Sequence, residues 1–357
     1  KAFIVSSLDQ YGKKQGEMVQ AILLRSNINS ILFAGAGPNP SDEMVMDGAS
    51  EYKSNKCDLI IAIGGGSAID CAKGIGLVVS HDRHISEFEG INKSQKPIPH
   101  FIAINTTSGT GSEVSSIAVI TNSTTERKIT IVDWRITPDV SINDAELALS
   151  MPKSLTATSG IDAFSHAIEA IVASNSTPIT DALSFEAIQI ITEWLPVAFD
   201  DGKNLQARSE MCHGAFLAGI AFNNSGLGLV HALSHPVTSM YGYTHGVVNA
   251  ILLPAVIKFN INSSIQKYSR VASAMNAGIP WHSDYENAKK VIPAVIRLIK
   301  RLGFPNGLKE LGVKVDDIPA LSILAEKEIV GLTNPKKANI SNITQLYHES
   351  LSLPKTY

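Results

Sequence analysis

Over its first 150 residues the chain switches repeatedly between two hydrophobic periods, and this alternation is the strongest constraint on its fold. AFIVSS, SILFAG and DLIIAIGGG are short apolar runs that read as buried strands. Between them, GKKQGEMVQAILLRS and SDEMVMDGASEYKSN carry apolar residues at helical spacing, with Ser41 placed to cap the second. Strand and helix in alternation predict βαβ units and a parallel sheet. HFIAIN adds a strand, SSIAVITN and RKITIVD form a β-pair around a polar turn, and PDVSIND closes the region. After Ser150 the texture becomes helical, in segments such as SLTATSGIDAFSHAIEAIVAS, LQARSEMCHGAFLAGIAFNN and YENAKKVIPAVIRLIKRLG. The expected fold is therefore two-domain: an N-terminal α/β domain over residues 1–150 and an all-α domain over 151–357. No linker-like tract separates them, which predicts direct packing with a ligand cleft at the junction.

A chain of 357 residues suits about two domains. The net charge of −3, without a Lys/Arg-rich run, removes any general case for nucleic acid or an anionic membrane as partner. No uncharged apolar stretch of about 18 residues is evident, so no bilayer-spanning segment is expected. Cys57, Cys71 and Cys212 are odd in number and in no CxxC pair, which suits free thiols in a reducing compartment. The chain opens on KAFIVSS, without an initiator Met or signal-peptide pattern, and a cytoplasmic location is expected.

Two loops invite phosphate. Gly64, Gly65, Gly66 and Ser67 follow a buried strand and open a helix, so backbone amides and a helix N-terminus can approach an anion closely. The spacing is not GxGxxG, and a tight ligand-free turn is the bland alternative. NTTSGTGSE repeats the logic after another strand, with hydroxyls at Thr106, Thr107, Ser108 and Thr110. Both loops would lie on one edge of the sheet, where open α/β sheets bind nucleotides.

A different chemistry sits in the helical half. In GIDAFSHAIEA, Asp162 and His166 are four apart, one turn apart on one helix face, opposite an apolar side through Ile161, Phe164, Ile168 and Ile171. In GLGLVHALSHPVTSMYGYTHG, His231 and His235 repeat that spacing and His245 follows. One carboxylate with several imidazoles suits Fe(II), Zn(II) or a neighbouring transition metal better than Ca or Mg. Four ligands suffice if positions stay open for substrate, so one of these five residues is spare. Pro236 is expected to kink or end the helix at His235, turning that imidazole toward the cleft as a proton carrier. The remaining histidines fall in no such pattern.

GGGSAID, TTSGTGSE, GIDAFSHAIEA and VHALSHP…HGVVNAILLP, in this order over nearly the whole chain, resemble the iron-containing, or group III, alcohol dehydrogenases. That family includes 1,3-propanediol, lactaldehyde and butanol dehydrogenases. The resemblance implies a dehydroquinate-synthase-like fold with NAD or NADP on the N-terminal domain and Fe(II), or Zn(II) in its place, on the helical one. It implies Asp162, His166, His231 and His245 as metal ligands and His235 as a non-ligand histidine near substrate. Gly65, Gly66 and Ser67 match the pyrophosphate loop, in the turn that opens at Gly64; Thr106, Thr107 and Thr110 match the second cofactor loop; Lys128 matches a lysine near the nicotinamide ribose. Two positions depart from the pattern. Ala34 stands where NAD-using relatives often carry an Asp for the adenosine ribose, which removes a barrier to NADP. Ile117 stands where some relatives carry an Asn. The segment AEKEIVGLTNPKK is also shorter than its counterpart in the family.

The implied reaction is reversible hydride transfer between a primary alcohol, bound as alkoxide to Fe(II), and the nicotinamide, in a homodimer acting on small molecules. The competing readings are a zinc polyol dehydrogenase of the same fold and a metal-dependent phosphohydrolase, which would need no redox cofactor.

Overall fold

Strands without polar alternation must be covered on both faces, and four such runs pair in one parallel sheet, with the short alternating run VSIN added at its edge. The computed structural model describes residues 1–125 and 127–353, and the chain divides between Ala148 and Leu149 into two compact units. The first unit runs β1 (Ala2–Ser7), α1 (Gln10–Arg25), β2 (Ser30–Ala36), α2 (Asp42–Ser54), β3 (Leu59–Gly64), α3 (Gly66–His81), β4 (Gly90–Ile91), β5 (His100–Asn105), β6 (Ile117–Thr121), β7 (Lys128–Val132) and β8 (Val140–Asn143). The main sheet has the order β2-β1-β3-β5-β8, every pair parallel. A second sheet, β4-β7-β6, contains the expected antiparallel pair of β6 and β7. Ser41 caps α2 as its sequence position predicts, its Oγ accepting from Met44 N at 3.2 Å.

The strand order reverses beside β1. The chain leaves β1 toward β2, whereas β3 lies on the other side of β1 and leads toward β5. The carboxyl ends of β1 and β3 therefore flank a topological switch point, the usual ligand crevice of such sheets. At the end of β3 the turn into α3 is immediate.

A buried cation fixes what lies above that turn. The ammonium of Lys73, on α3, donates to the carbonyls of Ser115 (2.8 Å) and Ile117 (2.7 Å) and to Ser112 Oγ (3.2 Å). Asp70, one turn earlier, accepts from Ser112 Oγ (2.5 Å) and Val119 N (3.0 Å). Burial draws the Lys73 pKa down to about 8, against the opposing pull of Asp70 and Glu113. These bonds tie α3 to the polypeptide that leads from Ser112 into β6.

The second unit comprises α4 (Lys153–Val172), α5 (Pro178–Asp200), α6 (Leu205–Ser225), α7 (Leu229–Tyr241), α8 (His245–Asn260), α9 (Ile265–Ala274), α10 (Asp284–Arg301), α11 (Ile318–Glu326) and α12 (Ile340–Ser350). Helix α4 packs against α5, α6 and α8. It is buried almost all round from Thr156 to Val172, so its expected division into polar and apolar faces is not seen. Asp162 and His166 are inside the core rather than at its edge.

Two sequence expectations need correction. Helix α7 does not end at His235: it continues to Tyr241 with Pro236 inside it. The turn around the proline is buried, and its packing outweighs the missing N–H bond. Among the described residues two segments, Pro178–Asp200 and His245–Ser263, are long and apolar enough by length and composition to cross a membrane, with mean hydropathies of 1.2 and 1.3. The second is hydrophobic because most of α8 is buried within the bundle, and helices apolar all round are core helices as readily as membrane ones.

Replacing Lys73 by Met would strand Asp70 and the carbonyls of Ser115 and Ile117 in the interior. A loss of about 3–5 kcal/mol is expected, read as a lowered urea midpoint; an unchanged midpoint would contradict this role.

Candidate functional site

The two glycine-bearing loops meet. Gly64 has φ +152°, a conformation that favours glycine, and its carbonyl accepts from Thr106 N at 3.1 Å. A Cβ on Gly65 would stand 3.0 Å from Thr107 Cγ2, and one on Gly66 2.8 Å from Thr110 Cγ2. The bare backbone of one loop thus lies against the threonines of the other. Helix α3 begins at Gly66 with no side chain capping it, so its first amides and the positive end of its dipole face this junction. Such a cradle suits phosphate oxygens. The structure therefore brings together Gly64, Gly65, Gly66 and Ser67 with Thr106, Thr107 and Thr110. Lys128 is engaged elsewhere in the same unit, its ammonium donating to Asn39 Oδ1 (2.6 Å), in the loop after β2, and to Thr121 Oγ1 (3.2 Å). Ala34 lies within β2, and Ile117 opens β6.

In the second unit, helical spacing turns distant positions into neighbours. Asp162 and His166 project from α4 one turn apart, and His231 projects from the first turn of α7. One ligand atom from each of Asp162, His166 and His231 lies within 4.8 Å of the others, and all three residues are buried. The His166 and His231 rings stack at 4.7 Å with planes 12° apart. His245 is the first residue of α8 and lies beside this trio rather than within it. Its ring stacks on that of His235 at 5.0 Å, and its Nδ1 is 3.0 Å from Thr238 Oγ1. Gly246 lets the start of α8 lie directly against α4, since a Cβ there would stand 1.9 Å from the Thr158 carbonyl oxygen. His235, one turn after His231, presents its ring at 82° to the His231 ring with centroids 6.4 Å apart.

A layer of polar groups unnoticed in the sequence surrounds these residues. Glu169 Oε2 lies 2.5 Å from His231 Nδ1, and Glu169 Oε1 accepts from Val230 N at 2.6 Å. The Asn249 amide nitrogen is 2.8 Å from Asp162 Oδ1 and 3.1 Å from His231 Nε2. Glu328 Oε2 is 2.9 Å from His235 Nδ1. Glu169 continues the stripe of Asp162 and His166 at i+7, and Asn249 stands four after His245, so helical spacing could have found both. Glu328 comes from a remote turn that no local spacing signals.

When the His231 ring is neutral and its Nδ1–H donates to Glu169, its Nε2 lone pair and Asp162 Oδ1 both face one N–H donor group, that of Asn249. Two acceptors converging on a single positive centre is also what a divalent cation requires, so the residues fit a bound metal. The donor set of one carboxylate and two imidazoles, with a third imidazole alongside, is that of a transition ion such as Fe(II) or Zn(II). Burial alone would raise the Asp162 pKa, but His166, His231 and His245 outweigh it and hold the carboxyl well below the usual carboxylate range. Burial would likewise depress His231, yet Glu169 and Asp162 lift it to about 9. The pocket is built to hold positive charge, whether proton or metal.

Comparison with known proteins agrees with this chemistry. The family profile described as iron-containing alcohol dehydrogenase matches residues 1–145, and that of the C-terminal part of the Fe-containing alcohol dehydrogenase family matches residues 156–351. The chain is 39% identical over 352 residues to 1,3-propanediol dehydrogenase of Klebsiella pneumoniae, covering 98% of this chain and 91% of that one. It is 38% identical over 351 residues to NAD-dependent methanol dehydrogenase of Bacillus methanolicus, covering 98% and 92%. A solved 1,3-propanediol oxidoreductase superposes with a TM-score of 0.94 at 39% identity, over 98% of this chain and 91% of that one. The chain belongs to the iron-containing alcohol dehydrogenase family.

Proposed function

We propose that the protein interconverts a primary alcohol and its aldehyde with a nicotinamide dinucleotide, at a divalent metal held by Asp162, His166, His231 and His245. The observation that carries this reading is the buried convergence of ligand atoms from Asp162, His166 and His231. A metal bound there supplies a Lewis acid, which acidifies a hydroxyl in one direction and polarises a carbonyl in the other.

The protein's own groups do the rest. Asp162 supplies the single negative charge among the proposed ligands, so a divalent ion keeps net positive charge with which to act. His235 is the proton carrier: Glu328 engages Nδ1, which leaves Nε2 as the nitrogen that exchanges a proton with the substrate. Gly64, Gly65, Gly66 and Ser67 hold the pyrophosphate on the start of α3, and Thr106, Thr107 and Thr110 line the same cradle from the second loop. Lys128 serves the cofactor from its place beside Asn39. Iron is the metal the family implies, and Zn(II) accepts the same donors. Ala34 puts no carboxylate where it would repel a 2′-phosphate, so NADP is accepted alongside NAD. The buried thiols of Cys57, Cys71 and Cys212 form no disulfide, which fits the cytoplasm. The family resemblance implies a homodimer.

The direct test is anaerobic reconstitution of apo-protein with Fe(II) or Zn(II), followed at 340 nm with both cofactors over a short alcohol series. Metal-dependent reduction of NAD or NADP is expected; metal-independent turnover would contradict the reading. His231→Ala should lose retained iron and turnover together, the latter by more than about 100-fold, whereas full activity with bound iron would remove His231 from the ligand set. Ala34→Asp should move the kcat/KM ratio toward NAD by about tenfold, equivalent to about 1.4 kcal/mol. An unchanged NAD/NADP ratio would show that position 34 does not face the ribose.

A further inference from the structure

We infer that Glu169 is the positioning residue of the metal centre: its one carboxylate sets the tautomer of His231 and caps the helix that carries it. This inference rests on the metal reading above. Glu169 is 3% exposed, and each of its oxygens has a separate partner. Oε1 accepts from Val230 N at 2.6 Å, at the start of α7, while Oε2 lies 2.5 Å from His231 Nδ1. The residue before α7 is Gly228, which supplies no side-chain cap. A Cβ on Gly228 would stand 2.8 Å from Glu169 Oε1 and 2.9 Å from Asn334 Oδ1. Glycine there leaves room for the capping groups to arrive from outside, and Asn334 Oδ1 accepts from the neighbouring Leu229 N at 3.3 Å.

The chemistry of the two partners fixes what residue 169 must be. A backbone N–H can only donate, so the oxygen facing Val230 must accept. The second carboxylate oxygen also accepts, so the neutral His231 ring carries its proton on Nδ1. Its Nε2 lone pair then points toward Asp162 Oδ1, 3.6 Å away. One side chain thereby couples α4, which carries Asp162 and His166, to the orientation of the imidazole on α7. Glutamine cannot meet both demands, because an amide offers one acceptor and one donor. Keeping the bond to Val230 would turn its NH2 toward Nδ1 and move the imidazole proton to Nε2, into the position a metal would take. Aspartate is one methylene too short to reach both partners.

Glu169→Gln separates positioning from mere capping, because the helix bond survives in the variant. The measurements are far-UV circular dichroism, Zn(II) affinity by chelator competition, and the 15N–1H spectrum of the imidazoles. Positioning predicts a folded variant that binds Zn(II) about 10–100-fold more weakly. It also predicts a strongly hydrogen-bonded Nδ1–H of His231 in the Zn-loaded wild type that is missing from the variant. Zn(II) affinity within twofold of wild type would overturn the inference. Should the variant fail to fold, the Zn-loaded wild type decides: a His231 Nδ1 without a proton overturns the assignment, and a protonated one upholds it. Should the wild type hold no Zn(II), the metal reading has failed. The clamp is then judged on metal-free protein at a pH where the ring is neutral, and a proton on Nε2 in the wild type would sink it.

Discussion

Asp162 and Glu169 place two carboxylates inside a helical core, and the rest of the second unit is arranged around what that burial costs. An isolated carboxylate in an apolar interior is too unfavourable to persist ionised unless it is paired. Asp162 is compensated by the imidazoles of His166 and His231 and by the Asn249 amide. Glu169 is compensated by His231 and by the N-terminal amide of Val230. Because these partners come from α4, α7 and α8, satisfying the charges also fixes how those three helices meet. The electrostatic requirement and the geometry of a metal centre are the same arrangement seen twice.

The first unit is organised differently, with the bare backbone of one loop set directly against the threonines of another. Gly65 and Gly66 lie so close to Thr107 and Thr110 that a Cβ on either glycine would press on the facing threonine side chain. Lys73 holds the second loop through the Ser112 hydroxyl and the chain after it through the carbonyls of Ser115 and Ile117, leaving its charge buried. The junction therefore gathers amides and hydroxyls at a helix start, at the point where the strand order reverses.

Much of this was legible in the sequence because helices and strands impose periods on the positions that share a face. The strand runs, the cap at Ser41 and the pairing of β6 with β7 follow from local pattern, as does the spacing of Asp162 to His166. Asn249 and Glu169 obey the same spacing yet were missed, Glu169 because it lies among alanines and isoleucines that read simply as core. Pro236 does not end the helix, because a local preference against helix is outweighed by packing around α7. Glu328 reaches His235 from 93 positions away in the chain, and only the tertiary fold makes that pairing. Apolar length was also ambiguous, since α8 is hydrophobic for the sake of the bundle that encloses it.

The central claim is that the lone pairs gathered between α4 and α7 hold one divalent ion. Anomalous diffraction at the iron absorption edge, from crystals grown anaerobically with Fe(II), measures this directly. The account predicts a single strong peak within bonding distance of Asp162 Oδ1, a His166 ring nitrogen and His231 Nε2. A peak elsewhere, or none at full soaking concentration with the three side chains well ordered, would contradict it.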